Sequence, residues 1–161
     1  MFISTIRKIA AVLALVSSAP LAWAQAAPYG APIDLATAKK AAAAAVEEAR
    51  KNSFLMVVAI TDAAGELVYL EKMDGVQTGS VKVAQGKARS AALFKRPTKV
   101  FQDIVAAGGD GLRILGLEGA VPIEGGIPLV VGGKIVGAIG TSGGSAAQDG
   151  QVAKAGVAAA N

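Results

Sequence analysis

The chain has 161 residues, of which 53% are hydrophobic and 17% are charged, and its formal net charge is +4. It contains neither cysteine nor histidine, which excludes disulfide scaffolds, thiolate zinc sites, cysteine catalysis, Ser-His-Asp triads and imidazole metal clusters. No stretch carries five or more like charges, so neither a nucleic-acid-binding stripe nor a polybasic membrane patch is predicted.

Residues 1–24 have the layout of a secretory signal peptide. Arg7 and Lys8 supply the positive start, residues 9–21 are mostly apolar, and residues 22–24 form an A-x-A cleavage site. The apolar stretch is shorter than the roughly 20 residues that span a bilayer. We therefore predict cleavage after Ala24, with Ala27 as the second choice, and a periplasmic or secreted protein that has no membrane association afterwards.

The first helix is predicted after a short leader. Residues 25–33 contain two prolines and a glycine and are predicted to be a flexible leader, ahead of one domain over residues 34–161. Asp34 suits the N-cap of a helix. The apolar positions that follow recur at helical spacing and are mostly alanine: Leu35, Ala38, Ala42, Ala45, Val46 and Ala49. Such a face suits close packing on a sheet.

A β-hairpin is predicted next. Residues 55–61 form a continuous apolar run that is short enough to be a buried strand. Residues 62–65 read Asp-Ala-Ala-Gly, which is typical of a turn. Residues 66–72 alternate between two faces, as the second strand of a hairpin does.

Two helices are predicted after the hairpin. Residues 80–94 carry small apolar side chains near one side, as a packed helix does. Pro97 suits the first position of a second helix, which the glycine pair 108–109 ends. The pattern of residues 112–119 is ambiguous between helix and loop.

From residue 120 the pattern becomes β again. Residues 127–131 and 135–141 are apolar runs joined by a tight Gly-Gly-Lys turn. Ser145 then begins a last helix, and Gln148 completes a capping box with it. The predicted order is α-β-β-α-α-β-β-β-α, which favours an antiparallel sheet with helices packed on it.

Candidate binding residues lie around the start of the Pro97 helix and in two later turns. Arg96, Thr98 and the backbone N–H groups there suit an anion-binding site, although Arg96 also suits the negative pole of the preceding helix. Glu124 stands between turn residues, where solvation, a ligand or a contact with Arg96 across a subunit interface would each explain it. Asp149 is interpreted as a first-turn acid of the last helix. No diagnostic pair of carboxylates and no metal-ligating set is present.

Five blocks of the chain carry a more specific signal. They are residues 58–62 with Gly65, residues 87–92 with 96–98, residues 125–129, residues 136–140 with 142–144, and residues 148–149 ahead of 153–156. Present in this order, the blocks resemble the GlcG/HbpS family. The resemblance covers about residues 34–160, which is almost the whole predicted domain.

The resemblance implies a fold, an assembly and a ligand. The implied fold is α+β and profilin-like, with a five-stranded antiparallel sheet flanked by helices in α/β/α layers. Members of this family assemble into homo-oligomers that are often ring-like or octameric. They include haem-binding extracellular proteins linked to redox sensing and the C-terminal domain of PduO proteins. Haem is therefore the cofactor that the resemblance predicts.

A haem site in this chain needs an iron ligand other than histidine. The candidate ligands are Met56, Tyr69, Met73 and Thr98, of which tyrosine has precedent as a haem ligand. Lys87 and Arg96 are candidate partners of the haem propionates if they lie near a subunit interface.

Our leading hypothesis from the sequence is an exported haem-binding or haem-handling oligomer, not an ordinary enzyme, linked to redox or iron stress. A rival hypothesis is a protein or enzyme that binds a small hydroxy acid or related carboxylate. Arg89, Arg96 and Thr98 would then hold the anion, and Glu124 would act as a general base with a raised pKa. A third is an oligomer that docks on a sensor domain.

Overall fold

The computed structural model describes residues 26–160, so the predicted signal peptide lies outside the described residues. The elements are α1 (Leu35–Lys51), β1 (Val57–Asp62), β2 (Leu67–Lys72), α2 (Ser80–Phe94), α3 (Thr98–Ala106), a 3₁₀ helix (Gly109–Gly116), β3 (Gly126–Val131), β4 (Lys134–Ser142) and α4 (Ala146–Ala159). Within this part of the chain, no helix has the length and apolar character needed to cross a membrane.

The sheet is antiparallel throughout and has helices on both faces. Its strand order is β2-β1-β4-β3. Side chains alternate along β1: Val58 and Ile60 join the core formed with α1 and α4, whereas Val57 and Ala59 pack with α2. The predicted α+β class with helices flanking an antiparallel sheet is therefore confirmed.

The prediction of five strands is wrong, because the sheet among the described residues has four. Residues 120–125, where the β pattern was expected to begin, form no ladder. Pro122 has no N–H to donate to a neighbouring strand. The N–H of Val121 donates instead to the Ser90 hydroxyl on α2, over 3.1 Å. This segment is thus a loop held by a helix.

The ends of the helices agree closely with the ends that the sequence predicts. The predicted bounds of α2 are those observed, and Asp34 Oδ1 accepts from the Thr37 N–H over 2.7 Å at the start of α1. The capping box of Ser145 and Gln148 is also confirmed. Pro97 was expected inside its helix, but it is the N-cap and α3 begins one residue later. The ambiguous segment after α3 is largely a 3₁₀ helix.

The segment predicted to be a flexible leader carries hydrogen bonds to β4. Gly30 N–H donates to the Ile135 carbonyl oxygen, and Ile135 N–H donates to the Pro28 carbonyl oxygen, each over 2.8 Å. Ile33 N–H donates to the Val136 carbonyl oxygen over the same distance. This segment thereby pairs with the part of β4 that extends past the end of β1.

Helix α2 packs closely on β4 through small residues. Ala84, Ala88 and Ala91 are fully buried on the inner side of the helix. A Cβ on Gly140 of β4 would collide with the Ala84 carbonyl oxygen and the Ala88 nitrogen. The glycine therefore sets the distance between helix and strand.

Gly140→Ala should destabilise the fold by about 1–3 kcal/mol, because an added methyl forces the backbone of α2 away from β4. Urea unfolding of the purified variant measures the loss. Gly116→Ala is the matched control, since nothing lies within 4 Å of a Cβ there. Equal stability of the two variants would show that α2 is free to shift.

Candidate functional site

A pocket of about 290 Å³ opens where α3 begins, beside the loop that leads into β3. Its wall is almost entirely apolar. The lining residues are Pro97, Lys99, Glu124, Gly125, Gly126, Ile127 and Lys154. The Lys154 side chain is largely exposed, and the half-exposed Lys99 side chain pairs with Asp103 over 2.7 Å, so two ammonium groups that solvent reaches lie at the apolar pocket.

Glu124 lines this pocket, and its carboxylate lies against α4. Only 12% of its side chain is exposed, and the Lys154 Nζ lies 3.9 Å from its Oε1. Its backbone N–H donates to the Gln102 Oε1 of α3 over 2.8 Å. A Cβ on Gly150 of α4 would collide with the carboxylate. The absence of a side chain at residue 150 therefore leaves the space that the carboxylate fills.

Behind the pocket lies a buried ion pair. The Lys87 Nζ is 2.6 Å from the Asp149 Oδ2, and the two side chains are only 1% and 4% exposed. Lys87 also donates to the Thr141 carbonyl oxygen over 3.1 Å, and Asp149 Oδ1 accepts from the Gly144 N–H over 3.0 Å. Both charges are thus paired and hydrogen-bonded, which a buried ion pair requires.

Gly125 connects the ion pair with the pocket. It lines the pocket, and a Cβ on it would lie 2.8 Å from the Asp149 Cβ and 2.9 Å from the Lys87 Nζ. Its φ of +123° is a conformation that glycine tolerates and other residues rarely adopt. Its carbonyl oxygen accepts from the Thr141 N–H over 2.9 Å. The ion pair therefore fixes the wall from which Glu124 projects.

Thr98 holds the same loop from the other side. The residue is fully buried at the start of α3. Its hydroxyl donates to the Ile123 carbonyl oxygen over 2.6 Å and accepts from the Gly126 N–H over 2.9 Å. The hydroxyl is therefore occupied by backbone groups on both sides of Glu124.

The structure brings three of the predicted ligand-binding residues together, namely Lys87, Thr98 and Glu124. It places the two arginines elsewhere. Arg89 pairs with Glu66 at the β1–β2 turn, over 2.8 Å. Arg96 donates through Nε to the Phe94 carbonyl oxygen, and its guanidinium lies 5.6 Å from the Phe101 ring centre. A single anion site of Arg89, Arg96 and Thr98 is therefore not assembled.

The four candidate iron ligands are also dispersed. Met56 is fully buried in the core, and the Thr98 hydroxyl is occupied as described. Tyr69 on β2 donates to the Glu71 carboxylate over 3.2 Å, and burial, with the charge of Glu71, raises its pKa. Met73 lines a mostly polar cleft of about 280 Å³ at the end of β2. None of the four side chains lines the Glu124 pocket.

Sequence reasoning placed Asp149 correctly in the first turn of α4 but missed its burial. The sequence feature that could have indicated this burial lies on α2, where Lys87 falls on the buried face between Ala84 and Ala88. A lysine on such a face requires a buried acid as its partner. Burial raises the pKa of the Asp149 carboxyl above its ordinary value, while Lys87 and the N–H groups of the 143–144 turn oppose the rise.

Comparisons with known proteins agree on one family. The model of the family described as "Haem degrading protein HbpS-like" matches residues 33–158. The protein GlcG of Escherichia coli strain K12 is 41% identical over 100 residues, which are 62% of this chain and 73% of GlcG.

Two solved structures share the fold over most of their length. The crystal structure of HbpS matches with a TM-score of 0.73 and 32% identity, over 80% of this chain and 90% of that chain. The crystal structure of a PduOC:heme complex matches with a TM-score of 0.71 and 30% identity, over 80% of this chain and 94% of that chain.

Lys87→Met should lower the free energy of unfolding by about 3–5 kcal/mol, because it leaves the Asp149 carboxylate buried without its cation. Adding Asp149→Asn removes that charge, so the double variant should lose less than the two single losses combined. Urea unfolding of wild type, Lys87→Met, Asp149→Asn and the double variant measures these losses as a double-mutant cycle. Lys51→Met, which breaks an exposed pair with Glu47, is the control and should cost at most about 1 kcal/mol. A Lys87→Met loss no larger than the control would contradict the assignment.

Because the pKa of Asp149 is raised in the folded protein, the contribution of this carboxyl group to the free energy of unfolding should fall as the pH rises. The folded protein binds this proton more tightly than the unfolded chain does. The stabilisation is therefore fully present below about pH 3.8, the ordinary pKa, and is lost as the pH rises through the raised value. Wild type should lose stability relative to Asp149→Asn over this window, as urea titrations at stepped pH would report. A difference that grew in favour of wild type would mean that Lys87 outweighs burial.

Proposed function

The chain belongs to the HbpS-like family, and from this membership we propose that it is an exported, haem-binding homo-oligomer that handles haem under redox or iron stress. The haem complex of PduOC and the structure of HbpS support the ligand. The observation in this chain that carries the proposal is the apolar pocket lined by Glu124 and two exposed lysines.

The residues of this pocket fit the chemistry of haem. Haem presents an apolar macrocycle, two propionates and an iron that takes axial ligands. The apolar wall suits the macrocycle, and Lys99 and Lys154 would bind the propionates by charge-assisted hydrogen bonds. Glu124 would supply a carboxylate oxygen as an iron ligand, since it is the acidic side chain that lines the pocket.

The size of the pocket supports a site completed by a second protomer. Its volume of about 290 Å³ lies just below the roughly 300–1,000 Å³ of small-molecule sites, so it would enclose only part of a haem. Large apolar side chains lie exposed on the neighbouring α3, 3₁₀ helix and loop: Val100, Leu112, Leu115, Leu117 and Ile123. Val100 adjoins Lys99 and Ile123 adjoins Glu124 in the chain. A second copy of the chain would cover this face and the haem together.

Bound haem would supply one-electron or oxygen chemistry at its iron. The contribution of this chain is to hold the macrocycle, neutralise the propionates and exclude water from one face. The buried Lys87–Asp149 pair and the Thr98 hydroxyl would hold the loop of residues 123–126 in one position while haem is bound.

Export rests on the sequence of residues 1–24, with its positive start, apolar stretch and A-x-A end. A periplasmic or secreted haem protein would meet haem outside the cytoplasm. Intact mass measurement of protein recovered from the periplasm or medium tests this, because cleavage at the A-x-A end would leave residues 25–161.

Titration of the purified protein with haemin should give a saturable Soret change distinct from free haemin. Glu124→Gln should shift or abolish the band, because it removes the iron ligand, and Lys154→Gln should weaken binding severalfold through loss of a propionate partner. Absorption spectra and gel filtration measure both effects.

Met73→Leu and Tyr69→Phe are the matched controls of this titration, because both residues lie outside the Glu124 pocket. Their spectra should equal that of wild type. A loss of the band in either control, with Glu124→Gln unaffected, would move the site to the β2 edge. Colourless protein on gel filtration after titration would reject haem binding altogether.

A further inference from the structure

A second cleft, of about 170 Å³, lies between the β1–β2 hairpin and α2. It shares no lining residue with the Glu124 pocket. The lining residues are Thr61, Gly65, Glu66, Leu67, Gln85, Gly86 and Arg89. The cleft thus combines an arginine, a carboxylate, an amide and a hydroxyl side chain with the apolar Leu67.

Thr61 is a buried polar residue that lines this cleft. The residue is only 2% exposed, and among the described residues its Oγ1 is a buried side-chain atom without a hydrogen-bond partner. A buried polar group without a partner is unfavourable and rare, so it calls for a ligand or a water. The register of β1 and β2 shifts between Ile60 and Thr61, and such bulges commonly re-aim side chains beside binding sites.

Arg89 offers a guanidinium at the same cleft. It donates through one terminal nitrogen to the Glu66 Oε1 over 2.8 Å and to the Gly65 carbonyl oxygen over 3.4 Å. Its other terminal nitrogen and its Nε make no hydrogen bond within residues 26–160. The Arg89 and Glu66 side chains are 51% and 70% exposed, so water competes with their pairing and another carboxylate can displace Glu66.

The remaining walls limit the ligand in size and polarity. Leu67 contributes apolar surface, and the Gln85 Nε2 donates to the Val81 carbonyl oxygen, which leaves the Gln85 Oε1 as an acceptor. A water takes about 30 Å³ of liquid volume, so the cleft holds a molecule of about five or six non-hydrogen atoms.

We propose that this cleft binds a short carboxylate that carries a second oxygen beside its carboxyl group. The carboxylate takes the place of Glu66 on the Arg89 guanidinium, and the second oxygen bonds the Thr61 hydroxyl. Arg89 requires that the ligand carry a negative charge, and Thr61 requires that it carry a second oxygen. The volume of the cleft limits the length of the ligand. This binding is independent of haem, since the two sites share no residue.

Binding of lactate, propionate and lactamide to the haem-free protein tests the proposal. Lactate should bind most tightly, because propionate lacks the hydroxyl and lactamide lacks the charge. Chemical-shift titration should move the amide signals of Thr61, Gly65 and Gly86 saturably. Because haem is absent, a failed haemin titration leaves this result untouched, and a failure here leaves haem binding untouched.

Four variants connect the binding to the named groups. Arg89→Gln should lower lactate affinity at least about tenfold, as loss of a charge-assisted contact does. Thr61→Val, which keeps the shape of the side chain, should reduce lactate affinity to that of propionate. Glu66→Gln should raise affinity by up to about fivefold, because it removes the internal competitor for Arg89. Arg96→Gln is the control and should bind like wild type.

Three results would overturn the proposal. One is the absence of a saturable response to lactate at millimolar concentration. Another is an equal response in Arg89→Gln and wild type, which would mean non-specific anion binding. The third is unchanged lactate affinity in Thr61→Val, which would mean that only a water fills the site beside the hydroxyl.

Discussion

The ion pair between Lys87 and Asp149 is the interaction on which the Glu124 pocket depends. It joins α2 to the first turn of α4, and through the Thr141 carbonyl oxygen it reaches β4. Buried ion pairs contribute little net stability relative to apolar residues of similar size, because desolvation offsets their attraction. What this pair provides is a defined geometry, because the Asp149 Cβ and the Lys87 Nζ occupy the space beside Gly125, next to Glu124 in the same loop.

Small residues allow α2 and the sheet to approach closely enough for the Lys87–Asp149 pair to form. The lysine side chain reaches its acid only because alanines on α2 and glycines on the sheet bring the two layers close together. Gly126 illustrates the fit, since a Cβ there would collide with the Lys87 carbonyl oxygen. The high alanine and glycine content of the chain is thus connected with its polar centre. A bulkier helix face would hold the lysine too far from the strand.

The elements could be predicted from local sequence, whereas the site could not. Caps at Asp34 and Ser145 and the apolar hairpins depend on neighbouring residues, so the helix ends and strand pairs followed from pattern. Lys87 and Asp149 lie 62 residues apart, and no local rule connects them. The prediction of a fifth strand was wrong for a similar reason. The Val121 N–H, which a strand would have paired with its neighbour, donates instead to the Ser90 hydroxyl, which is distant in sequence. The unpaired Thr61 hydroxyl likewise depends on a bulge that only the strand register reveals.

A chain without histidine or cysteine has few ways to hold iron, and the fold narrows them further. Among the donors that remain are thioether, phenol, hydroxyl and carboxylate groups. Met56 is enclosed by the core, and the Thr98 hydroxyl already serves two backbone groups. Glu124 differs because it lines an apolar pocket, its carboxylate fills the space that a side chain at Gly150 would take, and the Lys154 ammonium lies 3.9 Å away. An anionic oxygen ligand stabilises ferric over ferrous iron, since its charge favours the more highly charged ion. Glu124 as an iron ligand would therefore favour the ferric state.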